Sequence, residues 1–245
     1  MSEAYWISGQ HQAVDLTTSP NDRQSHDGLV FQFLAELTSQ SGLLPNQLDR
    51  LDWFTDRMAG LYSRETLNLD AKKSKPTFLW PILPLLSHAM LQTVCAGLIL
   101  EETNLTVLGE EIQENFAAVL LGSPYSVGKY NLVPHARFTS HFSSVWASDP
   151  LTDSLNTILI YLKKHEVDSQ TVNCFAINSP LNPDTTQKPE IWQSADWQFT
   201  SQPERGILSS LNNLVERLQI TSSTFGLLAS FSTDHRALFT LVERI

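Results

Sequence analysis

Ser87 and His88 stand side by side at the head of an apolar periodic segment, the sequence's nearest approach to a nucleophile beside a base. A serine at a helix N-terminus has backbone N–H groups at hand to hold an oxyanion. Neighbours on a helix point about 100° apart, however, and are poorly placed to bond one another. No Gly-x-Ser-x-Gly surrounds them, and the reading of Ser87 that its position favours is a plain N-cap. Asp234-His235-Arg236 is a polar trio between two apolar runs, suited either to a small anion or to solvent. His135 and His141 are evenly spaced and can share a face, but no carboxylate joins them at ligand spacing, so no metal site is expected. Cys95 and Cys174 lie in apolar contexts without CxxC spacing, which argues against a disulfide framework or a structural zinc site.

The 245 residues, 42% of them hydrophobic and 17% charged, are enough for one large domain or two modest ones around a sizeable core. A net charge of −10 without clustered Lys and Arg excludes a phosphate-tracking surface, so no nucleic acid is expected as a partner. The apolar stretch Phe78–Leu86 is too short to cross a bilayer and carries Pro81 and Pro84. The opening MSEAYWISGQ has neither a basic start nor a long apolar segment. These observations predict no membrane partner and a cytoplasmic location.

The elements that must position these residues occur twice. Val30, Phe33, Leu34 and Leu37 share a helical face, with Ser25 or Asp27 as N-cap and Gly42 past the end, and a strand follows around Leu51–Phe54. Later, Leu155, Ile158, Leu159 and Leu162 repeat that spacing behind Asp153, ahead of the strand-like Thr171–Ile177. The spacing predicts a second helix in each half, from Ser87 through Met90, Leu91, Val94 and Leu98, and from Ile207 through Leu218. Each is followed by two strands: NLTVLG and FAAVLLG, then GLLASF and ALFTLV. With Tyr5–Ser8 and Ala136–Ser140 as opening strands, each half reads βαβαββ, with parallel pairing across the helices and an antiparallel final pair. The domain division is then 1–133 and 134–245. Ser179–Pro203 reads as a long polar loop, on which Trp192 and Trp197 either contact a partner or plug the edge of the core.

This duplicated plan resembles the thiolase family. "FAAVLLGSPYSVGKYNLVPHARF", Phe116–Phe138, is similar to the thiolase segment in which a strand, a short helix and a turn lead into the second half. "VNCFAINSP", Val172–Pro180, is similar to the strand ending in the family's Asn-Glu-Ala-Phe motif, and "TFGLLASFSTDHRALFTLVERI", Thr224–Ile245, is similar to its closing hairpin. The resemblance implies an α/β fold of duplicated halves in a layered αβαβα architecture.

It also implies a site emptied of its chemistry. The hairpin's acid/base Cys falls on Phe231, and its Gly-rich turn reads Ser232 to Arg236. The nucleophilic Cys, which the family places at the N-terminus of a buried helix, falls at or near Leu85. Cys95 lies further along that segment and reads as a small buried hydrophobe. The stretch matching the family's catalytic His, Ala195–Gly206, has no His, and only Asn178 survives of the Asn-Glu-Ala-Phe motif. The family's long coenzyme A-gripping loop domain is replaced by Glu110–Asn115.

Two readings follow: a catalytically inactive thiolase-like protein with a structural, partner-binding or ligand-sensing role, or an acyl-CoA acyltransferase or acyl-CoA-binding protein using Ser87, Asn178 or His235. No cofactor is expected, with a coenzyme A thioester as the ligand in the second reading. The family's pairing segment matches Thr77–Leu86, which implies a homodimer, or a heteromer with an intact thiolase-like subunit.

Overall fold

The computed structural model describes residues 4–15, 35–43, 48–55, 70–74, 96–104, 113–145, 150–178, 190–200, 206–221, 223–231 and 236–245. Its strands are β1 (Ala4–Asp15), β2 (Leu48–Thr55), β3 (Asp70–Ser74), β4 (Ala96–Asn104), β5 (Gln113–Gly122), β6 (Ala136–Val145), β7 (Val172–Asn178), β8 (Asp196–Thr200), β9 (Phe225–Phe231) and β10 (Arg236–Arg244). The helices are α1 (residues 35–41), α2 (Pro124–Tyr130), α3 (Pro150–Lys164) and α4 (Gly206–Ile220). Gly42 closes α1 at φ +75°, the left-handed position expected of it. Ser123 caps α2, its hydroxyl accepting from the Ser126 N–H, and Asn131 at φ 52° ends it.

The strand order is β3-β2-β4-β5-β1-β6-β10-β9-β7-β8. Read outward from the middle, both halves run first, fifth, fourth, second, third, so one topology is used twice. The final pairs β4·β5 and β9·β10 are antiparallel, and β2·β4 and β7·β9 are parallel, as the alternation with helices predicts. The halves join where β1 meets β6 over Ala4↔Phe138, Tyr5↔Arg137 and Trp6↔Ala136. The cross-strand pair Arg137–Glu243, with Nε to Oε2 at 2.9 Å, braces β6 against β10 beside that seam.

Helix α4 is the central layer. Its stripe Leu208, Leu211, Leu214, Val215 and Leu218 is essentially fully buried, at the 3.6-residue period of a helix face. It packs against β7, β9 and β10 of its own half and β1, β4 and β5 of the other. The core on this side runs from Trp6, Val119 and Leu121 through Leu211 and Leu214 to Leu228 and Val242. Across the second half's sheet, Leu155, Ile158 and Leu162 of α3 cover Phe175, Ile177, Leu227 and Phe239. The layering is therefore helix, sheet, helix, sheet. Arg244 closes the C-terminal end of α4, its guanidinium donating to the Leu218 and Thr221 carbonyls, where a cation is favoured.

Four details differ from the sequence expectation. β4 spans Ala96–Asn104, so Leu98 lies in a strand rather than a helix, and NLTVLG contributes only Asn104 to it. The short run Gly97–Leu100 fits either element, because a brief apolar run has no distinguishing period. Each half also carries an extra edge strand, β3 or β8. β6 spans Ala136–Val145, so His141 lies within it rather than past the end of the strand expected over Ala136–Ser140. Finally, the polar loop expected over Ser179–Pro203 contains a 3₁₀ turn, Glu190–Trp192, and β8.

β8 is held by Arg217 of α4. The guanidinium donates to Asp196 Oδ2 at 2.7 Å, the Asp196 carbonyl at 2.7 Å, the Phe175 carbonyl at 3.2 Å and Gln198 Oε1 at 3.1 Å. Lysine keeps the charge but not the planar fork. We expect Arg217→Lys to lose about 1–2 kcal/mol in a urea melt, with faster hydrogen exchange at β8. Unchanged exchange there would show that Arg217 does not hold the strand.

Candidate functional site

The parallel strands β7, β8 and β9 end together, and in open α/β sheets ligands bind outside such carboxyl ends. Asn178 closes β7 and pairs in register with Thr200 of β8 and Ser230 of β9. Phe231 closes β9 opposite Ala237, and β10 begins at Arg236 opposite Val145, the end of β6. Asn178, Phe231 and the two ends of the β9–β10 connection, which contains His235, thus share one end of the sheet. His235 itself, Ser87, Leu85 and Thr77–Leu86 lie outside the described residues, as does Cys95.

Asn178, Thr200 and Ser230 give this end polar residues, and Phe231 gives it an apolar one. Phe231 is 3% exposed, its ring edge-on to Phe239 with centroids 5.9 Å apart. It belongs to the α3-facing core with Phe175, Trp192 and Ala195. A phenyl ring there has no proton to move and fills the space a small side chain would leave open. Cys174 Sγ lies 3.4 Å from Thr221 Oγ1, and Cys174 pairs with Gly226 at the opposite end of β9. Four residue steps along the strand, about 13 Å, separate it from Asn178. It is buried and far from the site.

Of the two loop tryptophans, Trp192 is core and Trp197 lies half-buried at its edge. Trp192 is fully buried, its indole N–H donating to the Ser169 carbonyl at 2.8 Å. Trp197 donates to the Trp192 carbonyl at 3.0 Å and stacks on Phe175 with centroids 4.1 Å apart. Tyr161 of α3 joins this core, and burial pushes its phenol up to about 12.

Sequence reasoning missed the polar groups of the central layer. Asn212 on α4 is fully buried and accepts from the Trp6 indole N–H at 3.2 Å, linking β1 to the last helix. A Cβ on Gly9 would fall 2.0 Å from Asn212 Oδ1, so only glycine admits this approach. Thr240 Oγ1 is buried without a hydrogen-bond partner on β10, between the α4-facing Leu238 and Val242. These pairings cross long sequence separations and leave no local signal.

Among the described residues no three His, Cys, Asp or Glu side chains group to hold a metal. A concavity of about 440 Å³ lies on α1, lined by Ala35, Glu36, Ser39 and Gln40, and shares no residue with the sheet end. β4 and β5 are antiparallel neighbours joined by residues 105–112, far too few for an inserted domain. Among the described residues no helix is long and apolar enough to cross a membrane.

No protein-family profile matches the sequence, and no curated protein matches it. Solved structures do match in shape. Human mitochondrial 3-ketoacyl-CoA thiolase in complex with CoA superposes with a TM-score of 0.69 at 9% identity, covering 100% of this chain and 98% of that one. Bacillus anthracis acetyl-CoA acetyltransferase gives 0.68 at 8%, covering 100% and 99%. A variant of Xanthomonas campestris OleA gives 0.67 at 10%, covering 98% of each. Identity this low carries the architecture and nothing finer: the chain has the thiolase fold.

Proposed function

We propose that this protein is a thiolase-fold chain without thiolase activity, acting in a structural, partner-binding or ligand-sensing role. The observation that carries the reading is Phe231, which is buried and packed where the resemblance calls for an acid/base thiol. Three sequence features support it: Ala195–Gly206 has no His, Ser179 and Pro180 follow Asn178, and the β4–β5 connection is short. Claisen chemistry needs a thiolate, a base and an oxyanion site together. We place the protein in the cytoplasm, as a homodimer through Thr77–Leu86 or a heteromer with an intact thiolase-like subunit.

A second reading, an acyltransferase or binder of acyl-CoA, is favoured by one observation. Asn178 ends β7 beside the strand pair whose connection holds His235. Ser87 would supply the nucleophile.

Thiolysis of acetoacetyl-CoA with free coenzyme A separates the two. The first reading expects no turnover above background at micromolar protein. Turnover that Ser87→Ala or His235→Ala abolishes would establish the second.

A further inference from the structure

We propose that β8 is an association edge whose occupant is a second copy of this chain, paired strand to strand across a twofold axis. β8 is the last strand of the described sheet and has β7 as its one strand neighbour there. The strand at the opposite end, β3, reads Asp-Ala-Lys-Lys-Ser. Lysine along an edge is a common device against edge pairing. β8 reads Asp-Trp-Gln-Phe-Thr, with no lysine and no proline. Its one charge, Asp196, is already balanced by Arg217 at 2.6 Å.

The register of such a pair is self-complementary. An antiparallel ladder centred on Gln198 sets Trp197 against Phe199 of the second copy, and Asp196 against Thr200, so no like charges meet. Trp197 and Phe199 are half-buried, with parallel rings 5.9 Å apart, and Trp197 lies on Phe175. Pairing would continue this row of rings across the axis and cover their exposed edges. The same residues face each other in both copies, so this contact taken alone closes as a dimer. β8 belongs to the second half and Thr77–Leu86 to the first, so this edge is independent of pairing through that segment.

Sedimentation velocity over a concentration series tests the proposal. The wild-type chain is expected to self-associate, and Phe199→Lys to weaken that association at least tenfold with far-UV circular dichroism unchanged. Gln198→Cys, placed on the axis, is expected to form a covalent dimer under mild oxidation. If Phe199→Lys does not fold, the Gln198→Cys crosslink decides alone. A wild-type chain that stays monomeric overturns the proposal. So does association that ignores Phe199→Lys and is lost only on changing Thr77–Leu86, or a folded Gln198→Cys chain that forms no crosslink.

Discussion

Trp192→Ala is expected to lose about 4 kcal/mol of unfolding free energy, read as a lower urea midpoint. Trp192 is the largest fully buried side chain among the described residues, in a core shared by α3, β7, β9 and β10. Its ring meets Phe175 edge-on at 5.0 Å, and its N–H is the donor to the Ser169 carbonyl. Alanine removes the ring, leaves that carbonyl without this donor and opens a cavity that rigid neighbours refill only in part. Trp192→Phe, which keeps most of the volume, is expected to lose about half as much. A loss below about 1 kcal/mol for Trp192→Ala would show that the residue is a surface plug and that the core ends at Phe175.

Gly9→Ala is expected to cost about 3 kcal/mol, from overpacking together with a broken buried hydrogen bond. The new Cβ would meet Asn212 Oδ1 at 2.0 Å and Cγ at 2.5 Å, with Trp6 Cζ2 at 2.8 Å blocking the other side. The amide must swing away, and Trp6 Nε1 then loses its acceptor. Asn212→Ala alone strands the same indole N–H but leaves Gly9 unclashed. The double variant should therefore lose at least about 1 kcal/mol less than the two single losses summed. Strict additivity in that double-mutant cycle would mean that Gly9 and Asn212 do not touch. This contact matters to the architecture because it fastens the first strand of one half to the central helix of the other.

Legibility in the sequence followed the length and period of each apolar run. α4, with leucines at 208, 211, 214 and 218, and β9 and β10, with their runs Leu227–Ala229, Ala237–Phe239 and Leu241–Val242, announce themselves to within a few residues. β4 reads in the sequence as the end of a helix because Ala96–Leu100 has no alternation to mark a strand. β8 reads in the sequence as loop because its ends are Asp and Thr, and Trp197 stacks on Phe175, a partner on another strand. The site divides in the same way. Phe231 is legible because its hairpin is continuous in sequence. The Arg217 clasp on Asp196 and the Trp6–Asn212 bond appear only after the crossovers are made.

On the proposed reading, the thiolase fold survives here without its thioester site. Calorimetric titration of the purified chain with coenzyme A, acetyl-CoA and acetoacetyl-CoA tests it most directly. No heat beyond dilution is expected at high protein concentration. Saturable binding of any of the three would contradict it, placing a working acyl-CoA site on a chain in which Phe231 stands at the acid/base position.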